Sequence, residues 1–295
     1  MRIFLTGATG FIGSVIIPEL IQAGHRVVGL ARSDAAAEAL TASGAEIHRG
    51  SLEDPESLQR GAAESDGVIH CAADHDVSNI AASCEKERQA IEALGGALAG
   101  SDRLLLITSG TGMGSRGPGQ IATEDYFDAN NPNPRVISEV TGAALAERGV
   151  KISVVRLPQV HDTIKQGLIT YVIQAAREKG VSAYIGEGLN RWPATHVIDV
   201  ARLYRLAFEK HEAGSRYNAV AEEGVPMREI AEAIGKGLRV PAVSIRPEEA
   251  PAHFSWLGMV AGYDMPASSQ LTQQRLGWRP AGPGLIDDLS RMRPA

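Results

Sequence analysis

Three glycines follow one another at intervals of three near the start of the chain, in the segment TGATGFIG at residues 6–13. Gly7 allows a tight turn, Gly10 allows a ligand to approach the backbone, and Gly13 allows a helix to pack on a strand. Backbone N–H groups at such a helix N-terminus bind phosphate. The spacing therefore predicts a diphosphate-binding turn; a βα turn that holds no ligand is the alternative. The predicted contacts are Gly7, Thr9, Gly10, Phe11, Ile12 and Gly13.

The end of the second apolar run, residues 26–30, indicates which dinucleotide would bind. An NAD site usually has a carboxylate here, which accepts hydrogen bonds from the ribose 2′-hydroxyl. This chain has Ala31, followed by Arg32 and Ser33. A guanidinium pairs well with a 2′-phosphate, so Arg32 and Ser33 predict NADP(H) rather than NAD(H). The alternative is a solvated arginine beside a serine that only caps a helix.

The elements around these residues alternate between short apolar strands and helical patterns as far as about residue 156. This alternation predicts an α/β fold, a doubly wound Rossmann-type parallel sheet with helices on both faces. The rhythm changes after Pro158, with a long helix predicted at 164–179. We expect a cofactor-binding core at 1–160, and a mixed region at 161–295 that completes the core. From about residue 215 onward, that region is expected to form a smaller substrate-binding lobe.

Bulk properties favour a small-molecule substrate as partner. The net charge is −6 and charges of both signs are interleaved, which argues against nucleic acid and anionic membranes. Cys71 and Cys84 are too few for a disulfide framework and are interpreted as buried thiols. Without a signal-peptide pattern or a membrane-spanning run, a cytoplasmic location is expected. We predict no metal site, and a homodimer is the oligomer considered.

Further short segments follow the predicted strands in order. They are GSL at 50–52, VIHCAA at 68–73, TSG at 108–110 and RLPQVH at 156–161, and later 190–192, 196–201 and 276–280. Together with the glycine spacing, this series resembles the extended short-chain dehydrogenase/reductase family, also called the NAD-dependent epimerase/dehydratase family. The resemblance covers nearly the whole chain.

The resemblance implies a role for several of these residues. Ser109 stands at the catalytic serine position, although a serine at a strand end is also an ordinary turn residue. Gln159 and His161 would face the substrate. Ser51 replaces an acidic residue that contacts adenine in relatives. The implied cofactor contacts are Ser51, Leu52, Cys71, Ala72, Ala73, Leu157, Pro158 and Val160.

The pattern breaks at the family's Tyr-x-x-x-Lys pair, whose phenol exchanges a proton with the substrate oxygen. Arg135 and Glu139 stand at the two positions, and no Tyr-x-x-x-Lys occurs elsewhere in the chain. An arginine cannot act as an acid at neutral pH, but it can bind a carboxylate or stabilise an alkoxide. The alternative is an i,i+4 ion pair between Arg135 and Glu139 on one helix face.

Other side chains remain to serve the substrate. Ser109 and Thr111 can donate hydrogen bonds to a carbonyl. Tyr126, His75 and His161 can give a proton, and His161 is the best placed of the three. We therefore assign catalytic roles to Ser109, Arg135 and His161, and substrate contacts to Thr111, Tyr126 and Gln159.

Three functions are compatible with this pattern. The first is an NADP(H)-dependent oxidoreductase that transfers hydride to or from a small carbonyl or hydroxyl compound. The second is a non-catalytic NADP(H)-binding sensor. The third is a sugar-nucleotide epimerase or dehydratase, against which both Arg32 and the missing pair argue.

Overall fold

The computed structural model describes residues 1–74 and 79–292. The first half of the chain alternates strands and helices as the sequence predicts. Its elements are β1 (Arg2–Thr6), α1 (Gly13–Gln22), β2 (Arg26–Ala31), α2 (Asp34–Ala42), β3 (Glu46–Arg49), α3 (Pro55–Ala63), β4 (Gly67–His70), α4 (Ile80–Leu98), β5 (Leu104–Gly110), α5 (Ile137–Glu147) and β6 (Lys151–Leu157). Short 3₁₀ turns at Thr111–Gly114 and Pro134–Val136 lie between β5 and α5.

In the second half of the chain, strands and helices alternate less regularly. They are β7 (Gln159–His161), α6 (Ile169–Lys179), β8 (Ser182–Ile185), β9 (Arg191–His196), α7 (Val197–Lys210), β10 (Arg216–Asn218), β11 (Glu222–Pro226), α8 (Met227–Leu238), β12 (Ala242–Ile245), α9 (Ala250–Phe254), α10 (Gln270–Leu276) and α11 (Leu285–Ser290). Among the described residues, no helix is both long enough and apolar enough to cross a membrane.

The central sheet has seven strands in the order β10-β6-β5-β4-β1-β2-β3. All of its strand pairs are parallel. Their carboxyl ends therefore share one edge, and the strand order reverses between β1 and β4, where α/β proteins of this kind bind ligands. The structure confirms the predicted doubly wound fold.

Two apolar layers cover the sheet because successive strand residues point to opposite faces. In β1, Ile3 and Leu5 pack with α1, α2 and α7, whereas Phe4 packs with α3, α4 and α5. A third core around Trp192 belongs to the second lobe, where β8 pairs with β12 and β9 lies between β7 and β11. The lobe is thus built on its own apolar core.

Two details differ from the sequence prediction. The long helix predicted from residue 164 begins at Ile169, because residues 162–166 form a turn held by the Asp162 side chain. The segment Arg216–Asn218 is not part of the smaller lobe, since it pairs with β6 as the edge strand of the central sheet. The change of rhythm after Pro158 therefore does not mark a clean boundary between lobe and core.

Candidate cofactor and active site

The glycine turn connects β1 to α1 at the switch point of the sheet. Gly7 has φ 69°, and a Cβ added there would lie 2.7 Å from the Ala72 nitrogen. A Cβ on Gly13 would lie 2.1 Å from the Gly7 oxygen. Side chains at these two positions would push the turn away from β4 and the helix away from β1. Gly10 is exposed, and its amide donates to the Gly7 oxygen at 2.9 Å.

The N-terminus of α1 fits an anionic group. It has no side-chain cap and no acidic residue in its first turn. Within the described part of the chain, the amides of Phe11 and Ile12 have no hydrogen-bond acceptor. Unpaired amides at a helix N-terminus, next to an exposed glycine, are the donor set that a diphosphate requires. The residues present therefore fit a dinucleotide.

At the end of β2, the Arg32 side chain is exposed and forms no ion pair with any described residue. The Ser33 hydroxyl accepts the Ala36 amide at 3.2 Å, so Ser33 caps α2. Asp34, the nearby carboxylate, is bound by Arg49 Nη2 at 2.7 Å. Arg49 was not singled out from the sequence, because only the sheet places the end of β3 beside α2. The guanidinium groups of Arg32 and Arg49 thus both lie near the end of β2.

Ser51 and Leu52 lie in the turn that begins α3. The Ser51 hydroxyl accepts the Glu53 amide at 3.3 Å, and Leu52 packs against the core on the Phe4 side of the sheet. Both side chains thus have structural partners, and any contact with adenine would be additional to them.

Small residues follow β4, where Cys71, Ala72 and Ala73 are placed beside the glycine turn. The Ala72 amide donates to Thr6 Oγ1 at 3.3 Å, which ties this segment to the end of β1. Burial raises the pKa of the Cys71 thiol to about 11, so it is protonated at neutral pH. Cys71 therefore packs beside the glycine turn as a small neutral side chain and does not act as a nucleophile.

Ser109 is the last residue but one of β5 and lies at the same sheet edge. Its Oγ is buried and has no hydrogen-bond partner among the described residues. The neighbouring Thr108 hydroxyl, by contrast, donates to the His70 oxygen at 2.7 Å. Buried polar groups normally have partners, so this hydroxyl is free to form a hydrogen bond with a ligand at this edge. Thr111 is buried in the following 3₁₀ turn.

The predicted i,i+4 ion pair between Arg135 and Glu139 is wrong. Arg135 Nη2 donates instead to the Asp74 backbone oxygen at 2.9 Å. Glu139 is wholly buried and binds Arg156 at 2.7 Å and Arg216 at 2.8 Å. Arg135 lies in the 3₁₀ turn before α5, whereas Glu139 lies in α5 and faces the sheet. The two side chains therefore have different partners.

Arg156 connects Glu139 to the loop that follows the 3₁₀ turn Thr111–Gly114. Its Nη1 and Nη2 donate to the backbone oxygens of Thr123 and Tyr126, each at 3.0 Å. The ring of Tyr126 lies under the guanidinium of Arg116, 4.3 Å from its centroid. Tyr126 is therefore held in a packed loop, and its hydroxyl has no hydrogen bond to a described residue.

His161 and Gln159, predicted to face the substrate, are both buried. His161 is wholly buried, and its Nδ1 lies 2.7 Å from Asp288 Oδ2. Burial lowers the pKa of His161 although Asp288 is adjacent. Gln159 Oε1 accepts the Leu168 amide at 2.8 Å. β7 enters the second lobe immediately after β6, so both side chains contact residues of that lobe, and their roles toward a substrate stay predictions.

The same segment contains three predicted cofactor contacts, at Leu157, Pro158 and Val160. The Val160 side chain packs in the core on the α1 side, which leaves its backbone for any cofactor contact. Leu157 and Pro158 are half-buried at the end of β6. His75, the remaining proton-donor candidate, lies outside the described residues.

A buried polar chain that the sequence does not signal runs beneath the site. His70 Nδ1 lies 2.7 Å from Thr6 Oγ1, and its Nε2 lies 3.4 Å from Glu87 Oε2. The hydroxyl of Ser138, at the start of α5, donates to Glu87 Oε1 at 3.1 Å. Burial acts to raise the pKa of Glu87, but His70, Ser138 and Arg135 outweigh it and lower the pKa. An ionised carboxylate thus underlies the start of α5.

This geometry defines an α/β protein whose parallel sheet has a glycine turn that fits a dinucleotide at its carboxyl edge. The model of the NAD dependent epimerase/dehydratase family matches residues 3–220, and the chain belongs to that family. An uncharacterised protein of Schizosaccharomyces pombe is 48% identical over 291 residues, covering 98% of each chain. A 2-alkyl-3-oxoalkanoate reductase of Stenotrophomonas maltophilia is 24% identical over 267 residues, covering 82% of this chain and 77% of the relative.

Solved structures of similar fold include the UDP-glucose 4-epimerase of Thermus thermophilus in complex with NAD. It is 20% identical, has a TM-score of 0.74, and the match covers 99% of this chain and 97% of the epimerase. The comparisons thus agree on the fold, the family is described as NAD dependent, and the reductase and the epimerase named here are enzymes.

Proposed function

We propose that the protein is an NADP(H)-dependent oxidoreductase that transfers hydride to or from a small carbonyl or hydroxyl compound. The observation that carries the proposal is the buried, unpartnered hydroxyl of Ser109 on the sheet edge that also carries the uncapped α1 N-terminus. A hydrogen-bond donor near a nicotinamide is what a carbonyl oxygen needs as negative charge develops on it.

In this proposal, the chain supplies binding and electrostatics. The bound dinucleotide would supply the hydride. The Ser109 hydroxyl donates a hydrogen bond to the substrate oxygen. The 3₁₀ turn Pro134–Val136 packs against β5, which brings the Arg135 segment to the same edge. The Arg135 guanidinium stabilises negative charge without giving up a proton, so the proton that completes the transfer comes from another group or from solvent.

Ser109→Ala is expected to lower kcat by about a hundredfold, because it removes one donor to the developing alkoxide. Affinity for NADPH should stay unchanged, since Ser109 lies away from the glycine turn. NADPH oxidation with a panel of small carbonyl compounds checks this. Ser101→Ala, before the other end of β5, serves as the control. If the wild type oxidises NADPH with no member of a broad panel, the proposal fails.

Arg32→Ala is expected to weaken NADPH binding by about ten- to a hundredfold and to leave NADH binding unchanged, because a charge-assisted pair with phosphate is worth about 1.5–3 kcal/mol. Calorimetric titration with both nucleotides measures the change. Arg148→Ala, an exposed arginine after α5, is the matched control. Equal affinities of the wild type for NADPH and NADH would refute the role of Arg32.

A non-catalytic NADP(H) sensor is the second candidate, and one observation favours it. Glu139 is fully engaged with Arg156 and Arg216, so the position expected to carry a catalytic lysine has a structural task. Tight NADPH binding without turnover, together with a co-purifying macromolecule, would support a sensor over an enzyme.

A further inference from the structure

Lys165 extends from the turn after β7 towards the glycine turn. Its Nζ lies 5.9 Å from the centroid of the Phe11 ring. The side chain is exposed and forms no ion pair with any carboxylate in the described ranges. A cation from the second half of the chain therefore lies beside the segment whose amides are unpaired.

The turn that carries Lys165 is built to hold its backbone in place. Asp162 Oδ1 accepts the amides of Ile164 at 2.6 Å and of Lys165 at 2.7 Å. The Asp162 amide donates to the Lys165 oxygen at 2.8 Å, and Gln166 Nε2 donates to the Asp162 oxygen at 2.9 Å. The nearest carboxylate on this turn is thus engaged by backbone amides, and the ammonium of Lys165 is left for another partner.

The contact with Phe11 does not by itself account for this arrangement. An exposed cation over an aromatic ring contributes only about 0.5–1 kcal/mol. Phe11, however, follows Gly10 directly, and its amide is one of the unpaired donors at the start of α1. The first turn of α1 has no acidic residue, so within that turn no carboxylate offsets the positive end of the helix dipole beside Lys165.

We propose that the Lys165 ammonium pairs with the diphosphate of the bound nicotinamide dinucleotide. The inference rests on the proposed dinucleotide binding and adds a residue from the second lobe to it. The diphosphate is favoured over the 2′-phosphate because Phe11 belongs to the glycine turn, whereas Arg32 lies at the end of β2. The turn leads into α6, which packs in the Trp192 core. Cofactor binding would then link this lobe to the sheet.

Lys165→Met tests the charge, because methionine keeps an unbranched apolar stem against the Phe11 ring. Fluorescence titration of the full chain with NADPH and with NADH should show about a five- to tenfold loss of affinity for both. Lys165→Arg should stay within about twofold of the wild type. At about 0.5 M salt the Met variant and the wild type should converge, because salt screens an exposed pair. Lys151→Met, at the opposite edge of the sheet, should match the wild type.

Three outcomes would overturn the assignment. Unchanged affinity of Lys165→Met for both nucleotides would show that the ammonium does not pair with the cofactor. A loss confined to NADPH would move Lys165 from the diphosphate to the 2′-phosphate. If the wild type binds neither nucleotide, the proposed function itself fails, and this outcome is distinguishable from the other two without any variant.

Discussion

Gly10→Ala is expected to lose at least about a hundredfold in affinity for NADPH and NADH alike while remaining folded. The new methyl group would stand where a diphosphate approaches the Phe11 and Ile12 amides. Losing two charge-assisted hydrogen bonds, each worth about 1.5–3 kcal/mol, accounts for that factor. The fold should tolerate the change, because an added Cβ meets only the Gly7 carbonyl group, its oxygen at 3.1 Å. Titration calorimetry and thermal unfolding together measure both effects.

Two other glycines make this experiment specific. Gly96→Ala, on an exposed face of α4 with nothing within 4 Å of the added Cβ, should leave cofactor affinity unchanged. It should also stabilise the helix by about 0.5–1 kcal/mol. Gly13→Ala should destabilise the whole protein because of its 2.1 Å approach to the Gly7 oxygen. If Gly10→Ala binds NADPH like the wild type, the diphosphate does not lie on this turn.

The central sheet could be predicted because local signals agree with each other. Apolar runs alternate with helical patterns, and Ser33 caps α2 as its position suggested, while Asp54 caps α3 by accepting the Ser57 amide. Strand β10 escaped prediction because three residues carry too weak a pattern. The start of α6 was misplaced because Asp162 captures the amides of its own turn, a polar effect that hydrophobic periodicity does not report.

The candidate site was predictable where backbone geometry dictates residue type, as at the glycine turn. It was not predictable where side chains find distant partners. His161 meets Asp288, 127 positions away, and Glu139 meets Arg216, 77 positions away. Sequence spacing suggested a local partner for Glu139 and an open setting for His161. Tertiary packing provided a distant partner for each.

The start of α5 shows how this chain departs from the pattern of its family. A lysine at position 139 would face the guanidinium groups of both Arg156 and Arg216. Glu139 and Arg156 therefore depend on each other, and the side chain at 139 is committed to holding β6, β10 and the loop around Tyr126 together. The side chain at 139 is therefore not available to exchange a proton with a substrate, and our proposal gives the substrate contacts to Ser109 and Arg135 instead.

Glu139→Gln is expected to lower the free energy of unfolding by about 3–5 kcal/mol, because it leaves the buried Arg156 guanidinium without its counter-charge. Urea unfolding measures this loss. Glu147→Gln, exposed at the end of the same helix, should change stability by less than about 0.5 kcal/mol.

The double variant Glu139→Met with Arg156→Met separates charge from packing. Removing both partners deletes the unpaired charge, so this variant should recover much of the stability that Glu139→Gln loses. Arg216 can turn towards water, since its side chain is 26% exposed. A loss below about 1 kcal/mol in Glu139→Gln would mean that water reaches Arg156 and that the ion pair does not organise the loop.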